Sequence, residues 1–236
     1  MALLTVENLS IGYHTRKGFL KSVRGVSFAL AEGKSLGLVG ESGCGKTTIG
    51  MSLMRLLPEN AAVTDGRILF EGKEAAMNAL NPVHRVSEQI AEAILAHDAD
   101  ISEEAAMKQV ENLFQVVGIP PERMRDYPHQ YSGGMKQRAV IAMALSCNPS
   151  LIIADEPTTA LDVIVQDQIL NAIKDFQNKL NISLIFISHD IAVVADVCDS
   201  IGIMFAGQLV EYGNVKEVFH APMHPYTRSL LASYLT

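Results

Sequence analysis

The sequence predicts an α/β fold, with a mostly parallel sheet, an antiparallel β lobe near the start and a helical insertion. Three observations carry this expectation. Short apolar runs (Ser35–Val39, Leu151–Ala154, Ser183–Ile187) alternate with helical patterns, the arrangement that buries a parallel sheet between helices. A glycine-rich loop, Gly40–Thr47, joins the first of those runs to a helix pattern. From Val86 to Cys147 the spacing is helical and no strand pattern interrupts it.

The elements follow in order. Leu3–Leu9 and Val23–Leu30 alternate or cluster apolar residues as strands do, with the turn-rich stretch His14–Gly18 between them. Ser35–Val39 is a short strand, and Thr47–Leu57 reads as a helix stopped by Pro58. Asp65-Gly66 and Glu71-Gly72 are turn signals on either side of a strand at Arg67–Phe70. Helical spacing runs from Val86 to Val117. Ser102-Glu103-Glu104-Ala105 is a helix start, because serine caps free N–H groups and early acids suit the positive helix end. A helix follows Ser132 to about Cys147, and Val163–Leu180 is amphipathic. Ile191–Cys198 is a short helix, and Ile201–Phe205 with Gln208–Tyr212 forms a hairpin about Ala206-Gly207.

Bulk properties narrow the function classes. Of 236 residues, 48% are hydrophobic and 19% charged, enough to bury a core. The net charge of −7 and the lack of a Lys/Arg cluster argue against a nucleic-acid surface. Cys44, Cys147 and Cys198 are far apart and in no metal-ligand spacing, which fits free thiols in a reducing cytosol. Met1–Ser10 does not read as a secretory signal, and no apolar run approaches the roughly 20 residues that span a bilayer. A soluble chain is expected, with any membrane role arising through a partner.

Gly40-Glu41-Ser42-Gly43-Cys44-Gly45-Lys46-Thr47 matches G-x-x-x-x-G-K-[ST], the phosphate-binding P-loop. Glycines let the backbone wrap a phosphate chain with N–H groups inward, at a helix start whose dipole favours anions. Lys46 is expected to reach the β- and γ-phosphates of ATP, Thr47 to join the Mg²⁺ shell, and Thr48 to complete the site. Leu151–Glu156 is an apolar strand ending in two carboxylates. Asp155 fits a Mg²⁺-water ligand and Glu156 the group that polarises the attacking water. Such a pair is by itself usually a solvated turn; the P-loop elsewhere in the chain reverses that reading. His189 ends the next apolar strand, where it can contact the γ-phosphate, although a lone histidine is more often structural.

Tyr131-Ser132-Gly133-Gly134-Met135-Lys136-Gln137-Arg138, upstream of the Asp155-Glu156 strand, resembles the signature motif of ABC transporter ATPases. Ser132, Gly133 and Gly134 open a helix and so form a second anion site. Pro157-Thr158-Thr159-Ala160-Leu161-Asp162 resembles the family's D-loop region and His189 its switch histidine, so the resemblance covers nearly the whole chain. It implies a P-loop NTPase (ABC ATPase) core with an antiparallel β subdomain and a helical subdomain. The expected boundaries are 1–33 and 64–74 for the β lobe, 34–63 and 148–220 for the core, 80–147 for the helical part and 221–236 for a short C-terminal segment. It further implies two ATPs sandwiched in a head-to-tail dimer with an identical or paralogous ATPase subunit, and Tyr13 stacking on adenine. Asn78–Val83, Tyr127–Gln130 and His224-Pro225-Tyr226-Thr227 resemble the oligopeptide, dipeptide and nickel importer branch. That branch implies membrane subunits as partners, an extracytoplasmic solute-binding protein acting indirectly, and a place on the cytoplasmic face of the membrane. The His-Pro-Tyr-Thr segment reads as packing against the core.

One departure stands out. The family carries a glutamine between the Arg67–Phe70 strand and Leu80-Asn81-Pro82, whereas here Glu71-Gly72-Lys73-Glu74 runs directly into Ala75-Ala76-Met77-Asn78. Gln89 lies too far downstream to replace it. Either the segment is deleted, or the sequence is closed up over a stretch of chain; intact motifs elsewhere favour the second. A Cα–Cα separation at Glu74–Ala75 well beyond the ~3.8 Å of a trans peptide would mark it. A true deletion opens the alternative of a non-hydrolysing regulatory subunit. A non-transport ABC ATPase is a further alternative, but the chain has none of the coiled coils or basic arms usual there.

Overall fold

The computed structural model describes residues 2–71, 73–74, 86–98, 100–158 and 163–234. Contacts divide the chain into two units, one of Met1–Ala79, Ile153–Glu156 and Asn181–Thr236, the other of Leu80–Ile152 and Pro157–Leu180.

The first unit holds two sheets. β1 (Ala2–Thr15) and β2 (Gly18–Ala31) form a long antiparallel hairpin, paired as far as Thr15 with Gly18. The stretch expected to be a loop at His14–Gly18 is thus mostly strand, closed by a two-residue turn whose Thr15 Oγ1 donates to the Gly18 carbonyl at 2.7 Å. β4 (Ala61–Phe70) adds antiparallel to β1 and β5 (Lys73–Glu74) to β4, giving the order β2-β1-β4-β5. β4 begins six residues before the expected Arg67, because pairing with β1 overrides the weak apolar pattern of Ala61–Gly66.

The second sheet has the order β6-β7-β3-β8-β9, with β3 at Ser35–Val39, β6 at Leu151–Asp155, β7 at Ser183–Ser188, β8 at Ser200–Phe205 and β9 at Gln208–Asn214. β3 runs parallel to β7 and β8, and β9 returns antiparallel to β8. The expected parallel α/β sheet is present. Every residue of β3 and β7 is buried, which is why both read as unbroken apolar runs. Leu36, Leu38, Phe186, Ile187, Ile201 and Ile203 are buried at this centre, each stabilising the fold by about 1.5–3 kcal/mol. Ala206 and Gly207, at φ 47° and 83°, make the expected hairpin turn between β8 and β9.

The start of β3 is tied across the chain. The Asp199 carboxylate accepts from the Ser35 amide at 3.0 Å, the Ser35 hydroxyl at 2.9 Å and Lys34 Nζ at 3.2 Å. Burial works to raise the Asp199 pKa, but these hydrogen bonds and the Lys34 charge hold it below the usual carboxylate value.

α1 (Lys46–Leu53) ends four residues before the expected Leu57. The Arg55 amide bonds to the Ser52 carbonyl at 3.1 Å and the Leu56 amide to Met51 at 2.8 Å. Arg55 sits at φ 55°, so a Schellman motif with arginine in the left-handed position stops the helix before Pro58 is reached. α6 (Ile191–Val197) is capped by the Asp190 carboxylate on the Ala192 and Val193 amides. Two further helices, α7 (Val215–His220) and α8 (Pro225–Tyr234), follow β9.

In the second unit the helical stretch 86–117 is divided into α2 (Val86–His97) and α3 (Glu103–Val116). Ser102 caps α3 as expected, accepting from the Ala105 amide at 3.2 Å. α4 (Gly133–Leu145) and α5 (Val163–Leu180) complete it. Ile90, Ile94, Val110, Phe114, Ala142 and Leu145 form its buried stripe. Asn78–Val83, Thr159–Asp162 and the Glu74–Ala75 junction, each singled out in the sequence, lie outside the described residues.

Candidate functional site

The phosphate-binding loop leaves β3 at Gly40 and enters α1 at Lys46, so it lies at the carboxyl end of a central parallel strand. Two glycines are dictated by crowding. A Cβ on Gly40 would run into the Met204 carbonyl oxygen, and one on Gly45, at φ 104°, would lie 2.8 Å from the Ser22 carbonyl oxygen. Gly45 is the N-cap of α1 and supplies no side-chain cap, so the first-turn N–H groups remain open to an anion.

Lys46 is buried, and its Nζ donates to the Gly40 carbonyl at 2.7 Å and the Glu41 carbonyl at 3.1 Å. The ammonium is thus folded back on its own loop. Cys44 packs beneath it; burial raises the thiol pKa, outweighing the Lys46 charge, so the group is a neutral packing residue. Glu41, Ser42, Gly43 and Thr47 are exposed on the rim. Thr48 is buried, its Oγ1 3.1 Å from Tyr13 Oη and 3.3 Å from Ser22 Oγ. Tyr13 therefore joins the loop helix through its hydroxyl.

Across from the loop stands a carboxylate–imidazole pair. Glu156 follows β6 at φ 49°, an unusual backbone for glutamate, held by its amide bonding to the Ile187 carbonyl at 2.9 Å. His189 Nδ1 is 2.9 Å from both Glu156 carboxylate oxygens. Ser22, Ser42, Gly43, Gly45, Lys46, Thr47, Thr48, Glu156 and His189 line one open depression of about 330 Å³. Four separate stretches of sequence thereby meet at one place. Asp155, exposed at the end of β6, is not among the lining residues.

Sequence reasoning missed three members of this site. Ser22 lies in a strand and carries no motif, and the backbones of Met204 and Gly207 act without side chains. The Gly207 amide donates to the Cys44 carbonyl at 3.1 Å, and its carbonyl accepts from the Arg24 amide at 2.8 Å. Only the hairpin signal at Ala206-Gly207 hinted at a special backbone there.

In the second unit, Ser132 is the N-cap of α4 and its hydroxyl accepts from the Met135 amide at 3.3 Å, with Gly133 and Gly134 opening the helix. Ser132 and Gly133 are exposed. Arg138, on the same helix, donates to the Gly118 carbonyl at 3.1 Å, and Tyr131 Oη donates to the Arg123 carbonyl at 2.9 Å.

Comparison with known proteins follows the same lines. The chain is 47% identical to the dipeptide transport ATP-binding protein DppD of Bacillus subtilis over 256 aligned positions, covering 98% of this chain and 76% of that protein. It is 47% identical to the oligopeptide transport ATP-binding protein OppD of the same organism over 259 positions, covering 99% and 72%. An alignment of 256 positions that takes in 98% of 236 residues leaves about 25 positions this chain does not fill. The fold resembles that of cbiO1 from Clostridium perfringens, part of the ABC transporter complex cbiONQ, with a TM-score of 0.77 and 27% identity over 93% of this chain and 91% of that one. Residues 23–159, from the middle of β2 through the phosphate loop to the stretch after Glu156, match the ABC transporter family model, and with these likenesses the chain belongs to the ABC transporter family, among its ATP-binding subunits.

Proposed function

We propose that this chain is the ATP-hydrolysing subunit of an importer for peptides or a related small solute, nickel included, working on partner membrane subunits from the cytoplasmic face. The observation that carries the reading is the shared depression, with a phosphate loop on one side and the Glu156–His189 pair on the other. Open helix N–H groups and Lys46 supply fixed positive charge where phosphate charge develops. Lys46 must leave the Gly40 and Glu41 carbonyls to reach a phosphate chain. Glu156 then orients the attacking water and takes its proton, and His189 is free to turn toward the γ-phosphate.

Thr47 and Asp155 are the residues that would hold Mg²⁺. Both are exposed oxygen donors, and among the described residues no group of three His, Cys, Asp or Glu forms a metal cage. That suits an ion that keeps several waters and takes few protein oxygens. When bound, it would neutralise charge on the β- and γ-phosphates.

The catalytic unit is a head-to-tail dimer in which Ser132, Gly133 and Gly134 of a second ATPase subunit, identical or paralogous, close over the nucleotide. Tyr13 takes the adenine. The chain is one ABC ATPase domain, with 1–33 and 64–74 as β lobe, 34–63 and 148–220 as core and 80–147 as helical subdomain. Solute reaches the membrane subunits from an extracytoplasmic binding protein, and no nucleic acid takes part. The names of the relatives support peptide import. No helix among the described residues is long and apolar enough to cross a membrane, which agrees with force delivered through partners.

The Glu156→Gln variant tests the chemistry. It is expected to bind ATP, accumulate as an ATP-bound dimer and lose about 10²–10⁴-fold in hydrolysis rate. Hydrolysis at the unmodified rate, or failure to trap any dimer, would refute the reading. A true deletion beside Glu74 would support one second reading, a non-hydrolysing regulatory subunit. Steady-state ATPase activity with and without membrane partners separates the two.

A further inference from the structure

The His224-Pro225-Tyr226-Thr227 segment follows β9 and α7. It forms the start of α8, with Pro225 at the first helical position, where no amide donor is needed. His224 Nδ1 accepts from the Tyr226 amide at 3.2 Å, and the Glu211 carboxylate accepts from the Met223 amide at 2.7 Å and the His224 amide at 3.0 Å. Thr227 is wholly buried with its hydroxyl toward the same carboxylate, in a geometry short of a full hydrogen bond. Burial works to raise the Glu211 pKa, yet the Thr227 hydroxyl, these amides and the His224 charge hold it below the usual range. The entry to α8 is thus braced from below by β9.

This bracing serves to place one side chain. The Tyr226 ring packs on Phe205 at the end of β8, centroids 4.4 Å apart. Its Oη is buried and completes no hydrogen bond. A buried phenol in that state is less stable than one that is satisfied. Phe205 follows Met204, whose carbonyl oxygen abuts Gly40, so the ring stands beside the phosphate loop; burial and the charge of Glu41, the loop's second residue, raise the tyrosine pKa. The Glu41 carbonyl is meanwhile one of the two that hold Lys46 Nζ.

We propose that Tyr226 is a positioning residue for the phosphate loop, its hydroxyl bonding to Glu41 when a nucleotide draws Lys46 away from the Gly40 and Glu41 carbonyls. Release of the lysine frees the Glu41 peptide. The buried phenol then accepts from the Glu41 amide or donates to its carboxylate, fixing the loop in its phosphate-holding form. Braced by Glu211, His224 and Thr227, the hydroxyl is supplied in place and loses little freedom on bonding. The inference rests on the reading of Gly40–Thr47 as the nucleotide site.

The experiment measures ATP affinity with a fluorescent ATP analogue, KM and kcat for hydrolysis, and Tm of the nucleotide-free protein. Tyr226→Phe keeps the ring on Phe205 and removes only the hydroxyl. It is expected to weaken ATP binding and raise KM about three- to tenfold, the worth of one hydrogen bond, with the loss in KM rather than kcat and Tm not lowered. Phe205→Leu removes the ring partner but keeps the hydroxyl, and is expected to lower Tm while changing KM less than about twofold. Unchanged affinity and KM in Tyr226→Phe would overturn the proposal, as would a KM rise that follows the Tm loss across both variants. Lys46→Ala is the control on the site itself. If it binds ATP like the unmodified chain, the reading of Gly40–Thr47 fails; if it loses binding while Tyr226→Phe does not, only the role of Tyr226 falls.

Discussion

At the scale of single residues, the pairing of Glu156 with His189 is the feature with most chemical consequence. Each was readable as a candidate, since both end apolar strands, but their 2.9 Å contact was not, because it depends on the left-handed backbone at Glu156. No propensity predicts a glutamate at φ 49°; the bond from its amide to the Ile187 carbonyl imposes it. In the proposed mechanism His189 orients the carboxylate between turnovers. Replacing it with alanine is expected to lower kcat about 10²–10³-fold, as loss of a positioned donor does elsewhere, while ATP affinity changes little. Equal loss in binding and turnover would show instead that the imidazole serves nucleotide affinity. Lys46 and Thr47 were legible because their motif is contiguous, whereas Ser22 was not, because its contribution depends on a neighbouring strand.

Elements were legible where burial wrote a pattern and less so where pairing or a local motif decided. β3 and β7 read correctly because both faces are covered; α1 was read too long because the stop was sought at Pro58. Its end is made by Arg55 in the left-handed region, a position that favours glycine. Arg55→Gly is accordingly expected to stabilise the fold by about 0.5–1 kcal/mol in urea denaturation, and a loss of that size would mean the arginine side chain matters more than its backbone. The Asp199 tie to Ser35 and Lys34 makes a second test. Its folded pKa lies below the unfolded value of about 3.9, so its stabilisation is complete above that pH and disappears as pH falls through the folded pKa. Asp199→Asn is expected to cost about 0.5–1 kcal/mol near pH 7, because the half-exposed carboxylate is screened by solvent, with the gap to the unmodified protein closing in acid. A gap that stays constant down to strong acid would mean the carboxylate's charge is not what counts.

For the molecule as a whole, the sequence made the fold class and family resemblance legible, because four motifs stand in order, but not the assembly of the phosphate loop from distant backbone. It also raised the expectation of a missing stretch beside Glu74, and the comparison with DppD leaves about 25 positions that this chain does not fill. Grafting the corresponding DppD stretch between Glu74 and Ala75 is expected to raise ATPase stimulation by membrane subunits at least tenfold over the unmodified chain. Equal stimulation would show that coupling does not depend on it. The Gly207 contact has a further consequence, for folding during synthesis. The loop near residue 44 is joined by an amide more than 160 residues later in the chain. At about 5–20 residues per second, a ribosome spends roughly ten to thirty seconds making the intervening chain. Through that interval the emerging polypeptide carries the complete P-loop motif but lacks the hairpin turn that closes around it. Nascent chains halted before β8 are therefore expected not to be retained on immobilised ATP, and competence should arrive late, when the turn emerges from the exit tunnel.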